Sequence, residues 1–474
     1  MESATKHSGI LDLPGEVLLM IFEEFKNFYQ DPNMRNTRIY KNRNIVNVRL
    51  TCKKFCSVSS HLLLDSVNVE INLRSVQRFQ DISKHPLIAR GVRSIRILLH
   101  YHSGSLAENL STYGIHQAQR IRDIVRALES IINRDYELYT EISLNRMREE
   151  CHQGLKIAEA WQHLGQSNDE GLFERMARSG YDIYRSLYEE QELLREQRRF
   201  SRHVAEGIAR MSGVRQLEFY DIPESRYEYT SISDLMEHDK IMNMLVSPLS
   251  WKEGDDYRPA SPPCEIVFDL PLALRELRVQ LTSLRIAAAL YRPEINVPSQ
   301  ERSADLTAAM QSLRTFTYAC NSIHRRPPWT LTYHYILAAL NNSNIEEIYI
   351  NYFSVTMECL FDQMIPRRDW PSLKKVELRY CYFHTGCLSR FLNGCNPAVF
   401  KYLGLHSMTW SGGADVLGIL KSSCLDHFFI RYDAMGQESL VLNNEQPRWL
   451  VEKESNGFRF RRQPNIYSVA RGTF

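Results

Sequence analysis

Leu373-Lys-Lys-Val-Glu-Leu-Arg-Tyr-Cys-Tyr-Phe383 carries apolar side chains at Leu373, Val376 and Leu378, then at Cys381 and Phe383. Alternation from Val376 to Leu378 is that of a strand buried on one face. At Cys381 the chain turns away, and a compact thiol tucked inward can meet backbone groups that the turn leaves unpaired. The hexad apolar-x-x-apolar-x-apolar recurs at Val92-x-x-Ile95-x-Ile97, Val214-x-x-Leu217-x-Phe219, Leu274-x-x-Leu277-x-Val279, Leu313-x-x-Phe316-x-Tyr318, Ile345-x-x-Ile348-x-Ile350, Phe400-x-x-Leu403-x-Leu405 and Leu425-x-x-Phe428-x-Ile430. From Leu274 the copies start 39, 32, 28, 27 and 25 residues apart, at Leu313, Ile345, Leu373, Phe400 and Leu425. Helical patterns fall between them, at 357–364 and 414–420. A unit of one strand and one short helix cannot bury its apolar face alone, so the copies must stack.

This narrowing period resembles that of leucine-rich repeats. The Leu373 copy matches the full pattern, and the Leu313 copy extends it to Asn321 and Ile323, whereas Thr282, Phe353, Met408 and Asp433 stand at the turn position elsewhere. The fold expected is an α/β solenoid: an irregular leucine-rich-repeat-like array, its curved parallel sheet flanked by helices on the outside. By strand alternation, the residues between the buried pairs point to the concave face. They include Glu276, Arg278 and Gln280, then Tyr349, Arg379, Tyr402 and Arg431. Aromatic and Arg residues are what binding hot spots are enriched in, so Tyr349, Arg379, Tyr402 and Arg431 are the target-binding candidates. An ordinary polar sheet face, with a target held by loops or by helices elsewhere, is the competing reading.

Five segments follow from this reading. Residues 8–65 form an N-terminal helical domain and 66–105 begin the array, with Leu64, Val67, Val69 and Ile71 making a short strand. Residues 106–212 are a helical insertion, because Ile121, Ile124, Val125, Leu128, Ile131 and Ile132 repeat at helical spacing. Heptads are not sustained, which favours packing on the array over a dimerising coiled coil. Residues 213–446 complete the array, interrupted by polar connections at 224–263 and 325–329. Residues 447–474 read as a cap, a hairpin turning at Asn456-Gly457.

The N-terminal segment has its own signature. In Leu13-Pro-Gly-Glu-Val-Leu-Leu-Met-Ile-Phe22, Pro14 suits a first helical turn and Glu16 suits the positive helix end. Leu18, Ile21, Phe22 and Phe25 make an apolar stripe, and Ile45, Val48, Cys52 and Phe55 repeat the spacing after a polar stretch, 26–43, that reads as a solvated loop. Leu13-Pro14-x-Glu16-Val17-Leu18-x-x-Ile21-Phe22 followed by Val48-x-x-x-Cys52-Lys-Lys-Phe55 resembles the F-box, the module that docks on the Skp-family adaptor of cullin ubiquitin ligases. Over roughly the first 65 residues the order of motifs matches, and only the link between helices is longer than usual. The resemblance implies that Leu13, Pro14, Glu16, Val17, Ile21, Phe22, Val48, Cys52 and Phe55 bind or support the adaptor. Together the two halves resemble an F-box substrate receptor of the divergent kind common in fungi. That implies a non-catalytic subunit of a Skp-cullin-F-box ligase, monomeric within the complex, holding a protein target for ubiquitination.

Composition agrees with a partner chosen by local surface. Lys plus Arg total 58 against 56 Asp plus Glu, a formal charge of +2, which implies neither nucleic acid nor an anionic membrane as partner. Ten cysteines without a paired framework, no leader after Met1 and no apolar run near the ~18 residues that span a bilayer lead to an expectation of the reducing cytosol or nucleus. No nucleophile elbow, phosphate-cradling loop or dinucleotide fingerprint is present, so no cofactor is expected. Cys381-x-x-His384-x-x-Cys387 has zinc-like spacing, but Cys381 serves as a repeat turn residue and Cys387 lies on an apolar helix side, so no metal site is expected. Two other readings remain: an adaptor-bound scaffold outside ubiquitin transfer, and an enzyme with an unrecognised site in the helical insertion.

Overall fold

A computed structural model describes residues 9–27, 43–134, 140–165, 171–221, 237–251, 262–288, 300–320, 329–352, 365–406, 409–411, 416–422, 425, 427–431, 449–454 and 457–462. Strands β1 (Ser66–Glu70), β2 (Ser94–Leu98), β3 (Gln216–Tyr220), β4 (Ser283–Ala287), β5 (Thr315–Cys320), β6 (Glu347–Tyr352) and β7 (Lys375–Arg379) lie side by side in chain order. After β8 (Tyr382–His384), β9 (Tyr402–His406), β10 (Thr409–Ser411) and β11 (His427–Arg431), the hairpin β12 (Trp449–Glu454) and β13 (Gly457–Arg462) closes the chain. Eight parallel pairings join β1–β7, β9 and β11 into one open sheet, to which β13 and β12 add antiparallel. Strands β8 and β10 pair separately.

Register repeats without slippage. Val67, Ile95, Leu217, Leu284, Phe316, Ile348, Val376 and Leu403 form one row across the sheet. Two residues on, Val69, Ile97, Phe219, Ile286, Tyr318, Ile350, Leu378 and Leu405 form a second, and no member of either row is more than 4% exposed. A one-residue slip would turn both rows to the other face. The entries to β2–β7 and β9 are also each fixed by one carbonyl that accepts from two successive amides of the next copy: Asp65 from Arg93 and Ser94, Arg93 from Arg215 and Gln216, Arg215 from Thr282 and Ser283, and so on through Lys374 to Lys401 and Tyr402.

The fourth strand corrects the expectation. Leu274-x-x-Leu277-x-Val279 is the end of a helix, 265–276, and the strand hexad is Leu281-x-x-Leu284-x-Ile286. The helix stops because Arg278 adopts φ +57°, its amide donating to Arg275 and the Val279 amide to Leu274, with Val279 packed back on the core. Glu276, Arg278 and Gln280 therefore leave the sheet face, which Ser283, Arg285 and Ala287 occupy instead. With Leu64-x-x-Val67-x-Val69 added, nine hexads make nine strands, each beginning two residues into its hexad.

The helices, in chain order, are α1 (Gly15–Asn27), α2 (Arg43–Thr51), α3 (Lys53–Ser59), α4 (Leu73–Lys84), α5 (Gly104–Ala107), α6 (Leu110–Arg134), α7 (Glu141–Gln162), α8 (Leu172–Arg195), α9 (Arg199–Arg210), α10 (His238–Leu245), α11 (Glu265–Glu276), α12 (Gln300–Ala309), α13 (Trp329–Leu340), α14 (Thr385–Gly394) and α15 (Val416–Ser422). Neighbouring crossover helices pack in a row, α4 on α9, α9 on α11, α11 on α12 and α12 on α13. Between β2 and α9, helices α5–α8 stand as a bundle whose apolar residues join the core of the array. No described helix is long and apolar enough to cross a membrane.

Part of the stretch expected as a polar connection, 224–263, is core. Ile241, Met244, Leu245, Leu249 and Trp251 are buried, and the segment anchors the bundle: Tyr113 donates to the Leu245 carbonyl (3.0 Å), Arg120 to Met244 (2.7 Å), and the Trp251 indole to Leu99 (2.8 Å). Lys26 belongs to α1 and Arg43 to α2, while the loop between them, the pattern at 357–364, the Asn321 turn and most of 325–329 lie outside the described residues.

The N-terminal unit, α1–α3, has its own small core but sits hard on the array. A Cβ on Gly91 would fall 1.7 Å from the His61 carbonyl oxygen, so the two backbones touch where only glycine fits. Gly207 in α9 is a similar close approach, where a Cβ would meet the fully buried Phe79 ring at 2.2 Å. Gly207→Ala gains up to about 1 kcal/mol in helix propensity and loses about 1–3 kcal/mol to overpacking, because Phe79 has no free space to enter. A net loss of stability in urea unfolding is the expected outcome, and unchanged stability would show that Phe79 can shift.

Candidate docking surfaces

In the N-terminal unit, Leu18, Phe22, Ile45, Phe55 and Leu62 are buried together, with the Phe22 and Phe55 rings edge to face at 5.1 Å. Cys52 starts α3, its sulfur accepting the Phe55 amide at 3.5 Å. Lys54 ties the chain ahead of α1 to α3 by donating to the carbonyls of Leu11 and Leu13 at 2.7 and 2.8 Å. The nine expected adaptor-binding residues thus divide. Phe22 and Phe55 are core, Leu13, Ile21, Val48 and Cys52 are half-buried against it, and Pro14, Glu16 and Val17 face solvent.

The expected α1 stripe divides: Leu18 and Phe22 are buried and Ile21 half-buried, whereas Phe25 is exposed. Ile10, Leu11, Met20, Val46 and Leu50 are exposed with it and with Val17, Met20 at 67% and Leu50 at 79%. On α1 the sequence shows Val17 and Met20 widening the stripe beyond what so small a unit can bury; sequence reasoning missed the matching pair on α2, Val46 with Leu50 at i, i+4. So many large apolar side chains in water on one small unit make it a candidate contact surface.

A second surface is the sheet face away from the buried rows. The register brings Tyr349, Arg379 and Tyr402 onto it. The Arg379 guanidinium lies over the Tyr349 ring at 5.5 Å, and the Lys375 ammonium over Tyr402 at 5.0 Å. Lys375 also pairs with Glu377 at 2.9 Å, and that hydrogen bond, ahead of other influences, pushes its pKa up. Between them Gly404 lies opposite Glu377 and is covered, a Cβ there falling 3.1–3.3 Å from the side chains of Glu377, His406 and Tyr402. Among the described residues, the Asn351 side-chain oxygen and Arg379 Nε have no hydrogen-bond partner although both atoms are buried. Arg431 aligns with His406 and Arg379 along the backbone, its side chain lying outside the description. Toward the other end, Arg96 pairs with Glu218 at 2.8 Å and covers the Tyr220 ring.

The zinc-like set is engaged otherwise. Cys381 donates to the Arg379 carbonyl at 3.4 Å, His384 Nδ1 accepts the Gly386 amide at 3.1 Å to start α14, and the Cys387 sulfur accepts from Arg390 at 2.8 Å. No group of metal-ligating side chains is assembled among the described residues. In the α5–α8 bundle the buried side chains of Gln117, Arg120 and Gln191 donate to the backbone carbonyls of Leu245, Met244 and His102, and Tyr113, its pKa driven up chiefly by burial, also holds the Leu245 carbonyl. No protein-family model matches the chain, and no curated protein matches it in sequence.

Leu18→Ala should cost about 2–5 kcal/mol, enough to open a core this small, whereas Met20→Ser should stay within about 0.5 kcal/mol. Hydrogen exchange across 10–62 distinguishes them, with protection lost in the first variant and kept in the second.

Proposed function

We propose that the chain is the target-binding subunit of a Skp-cullin-F-box ubiquitin ligase. In this reading the N-terminal unit is an F-box that holds a Skp-family adaptor, and through it cullin. The sheet and its helices form an irregular leucine-rich-repeat-like solenoid that holds a protein target. The observation that carries the reading is the apolar surface of Val17, Met20, Val46 and Leu50, exposed on the unit whose Leu13-Pro14-x-Glu16 and Cys52-Lys-Lys-Phe55 motifs resemble an F-box. Acyl transfer belongs to other subunits, and this chain contributes proximity by placing target lysines near a charged conjugating enzyme. The reading places the protein in cytosol or nucleus.

Pairing Met20→Asp with Leu50→Asp tests the adaptor surface. Both side chains are exposed, so the fold is kept, while each strands a charge in an apolar contact. Such anchors carry about 2–4 kcal/mol, so adaptor affinity should fall about 30- to 1000-fold in calorimetry. Undiminished affinity in this folded variant, or absence of cullin from the purified assembly, would overturn the ligase reading.

Target recognition is assigned to Tyr349, Arg379, Tyr402 and Arg431. Tyr349→Ala with Arg379→Ala removes the stacked pair from the open face. The variant should keep the adaptor and lose the target in affinity purification under proteasome inhibition, and retention of both would move the target to another surface.

A further inference from the structure

A cleft of about 440 Å³ lies between residues 365–370, ahead of β7, and α14, on the helix side of the sheet. Its volume falls in the range of small-ligand sites. Three arginines, Arg367, Arg368 and Arg390, are among its lining residues, with a single acidic residue, Asp369. None of the three forms an ion pair among the described residues. Arg368 donates to the backbone carbonyls of Asp369 at 3.1 Å and Leu340 at 3.5 Å, and Arg390 to the sulfur of Cys387, a weak acceptor. Burial lowers the Arg368 pKa, with Asp369 only partly opposing it.

The cleft is preformed. Arg368 stacks over Trp370 at 4.9 Å, which sets the plane of its donor fork. Trp370 in turn is tied to α14 by its amide, which donates to the Gly394 carbonyl at 2.8 Å, and its ring meets Phe391 edge to face. A Cβ on Gly394 would lie 2.8 Å from the Arg368 carbonyl oxygen, so the walls are in backbone contact. Ile365 and Phe391, both nearly buried, supply an apolar floor.

We propose that this cleft binds a phosphate monoester carried on an aromatic or aliphatic body. Three guanidiniums against one carboxylate leave a local charge matched by a dianion, and planar forks fit phosphate oxygens two at a time. The Arg390 guanidinium gives up only a thiol contact on engaging a ligand, and Arg368 is held in place beforehand, so little ordering cost opposes binding. The site shares no residue with the apolar surface of the N-terminal unit, so it stands or falls separately from adaptor docking.

Calorimetric titration of the full chain with phenyl phosphate should give saturable one-to-one binding. Arg368→Gln and Arg390→Gln should each weaken it about tenfold or more, as loss of a charge-assisted hydrogen bond does. Arg390 is exposed, so a weakened Arg390→Gln variant with an unchanged melting temperature reads the site and not the fold. A phosphotyrosine peptide that displaces phenyl phosphate assigns the ligand to a phosphorylated protein; a peptide that fails to displace it assigns a small organic phosphate. No saturable binding of phenyl phosphate, or full affinity in the folded Arg390→Gln variant, overturns the proposal.

Discussion

Everything in the array depends on one repeated hydrogen-bond arrangement at the strand entries. In seven of the nine hexads the carbonyl one residue in accepts from two successive amides of the next copy, at Asp65, Arg93, Arg215, Thr282, Arg314, Glu346 and Lys374. That sets where each strand begins, and period-two alternation then aligns both buried rows. Crossover length is left free. The 117 residues between Leu98 and Gln216 are accommodated with Ile95 still opposite Leu217, since closing a longer connection costs only logarithmically more entropy.

The two candidate docking surfaces differ because of how each is built. On the N-terminal unit the helices are too few to cover one another, so Met20 and Leu50 stay in water although the opposite stripe is packed. On the sheet each residue has lateral neighbours at fixed spacing, and cations meet aromatic rings across strands, as Arg379 does with Tyr349 and Lys375 with Tyr402. The first surface offers apolar area to a partner, the second an arrangement of donors and aromatic rings.

Most of the array was legible because a hexad is a local pattern with a physical cause, two buried residues on one strand face. Leu274-x-x-Leu277-x-Val279 fits the same pattern for a different reason, a helix packing Leu274 inward and its left-handed end at Arg278 returning Val279 to the core. The real copy at Leu281, seven residues on, was equally readable. What separates them is pairing with neighbours, which no single stretch displays. The segment at 237–251 was hidden by its polar flanks, although Ile241, Met244 and Leu245 recur at helical spacing. The guanidinium cleft was illegible because Arg390 meets Arg367 and Arg368 only through the tertiary fold.

At Gly91 the backbone of the N-terminal unit and that of the array are in van der Waals contact, with no linker between them to bend. The joint behaves as a weld, not a tether. Had the two parts been joined by a flexible chain, a target on the sheet would sample a cloud of positions whose density falls with tether length. With the joint rigid, a target held at Tyr349 and Arg379, as proposed, would sit at one distance and one bearing from whatever Met20 and Leu50 engage. Which side of that target would be presented is then a property of the fold.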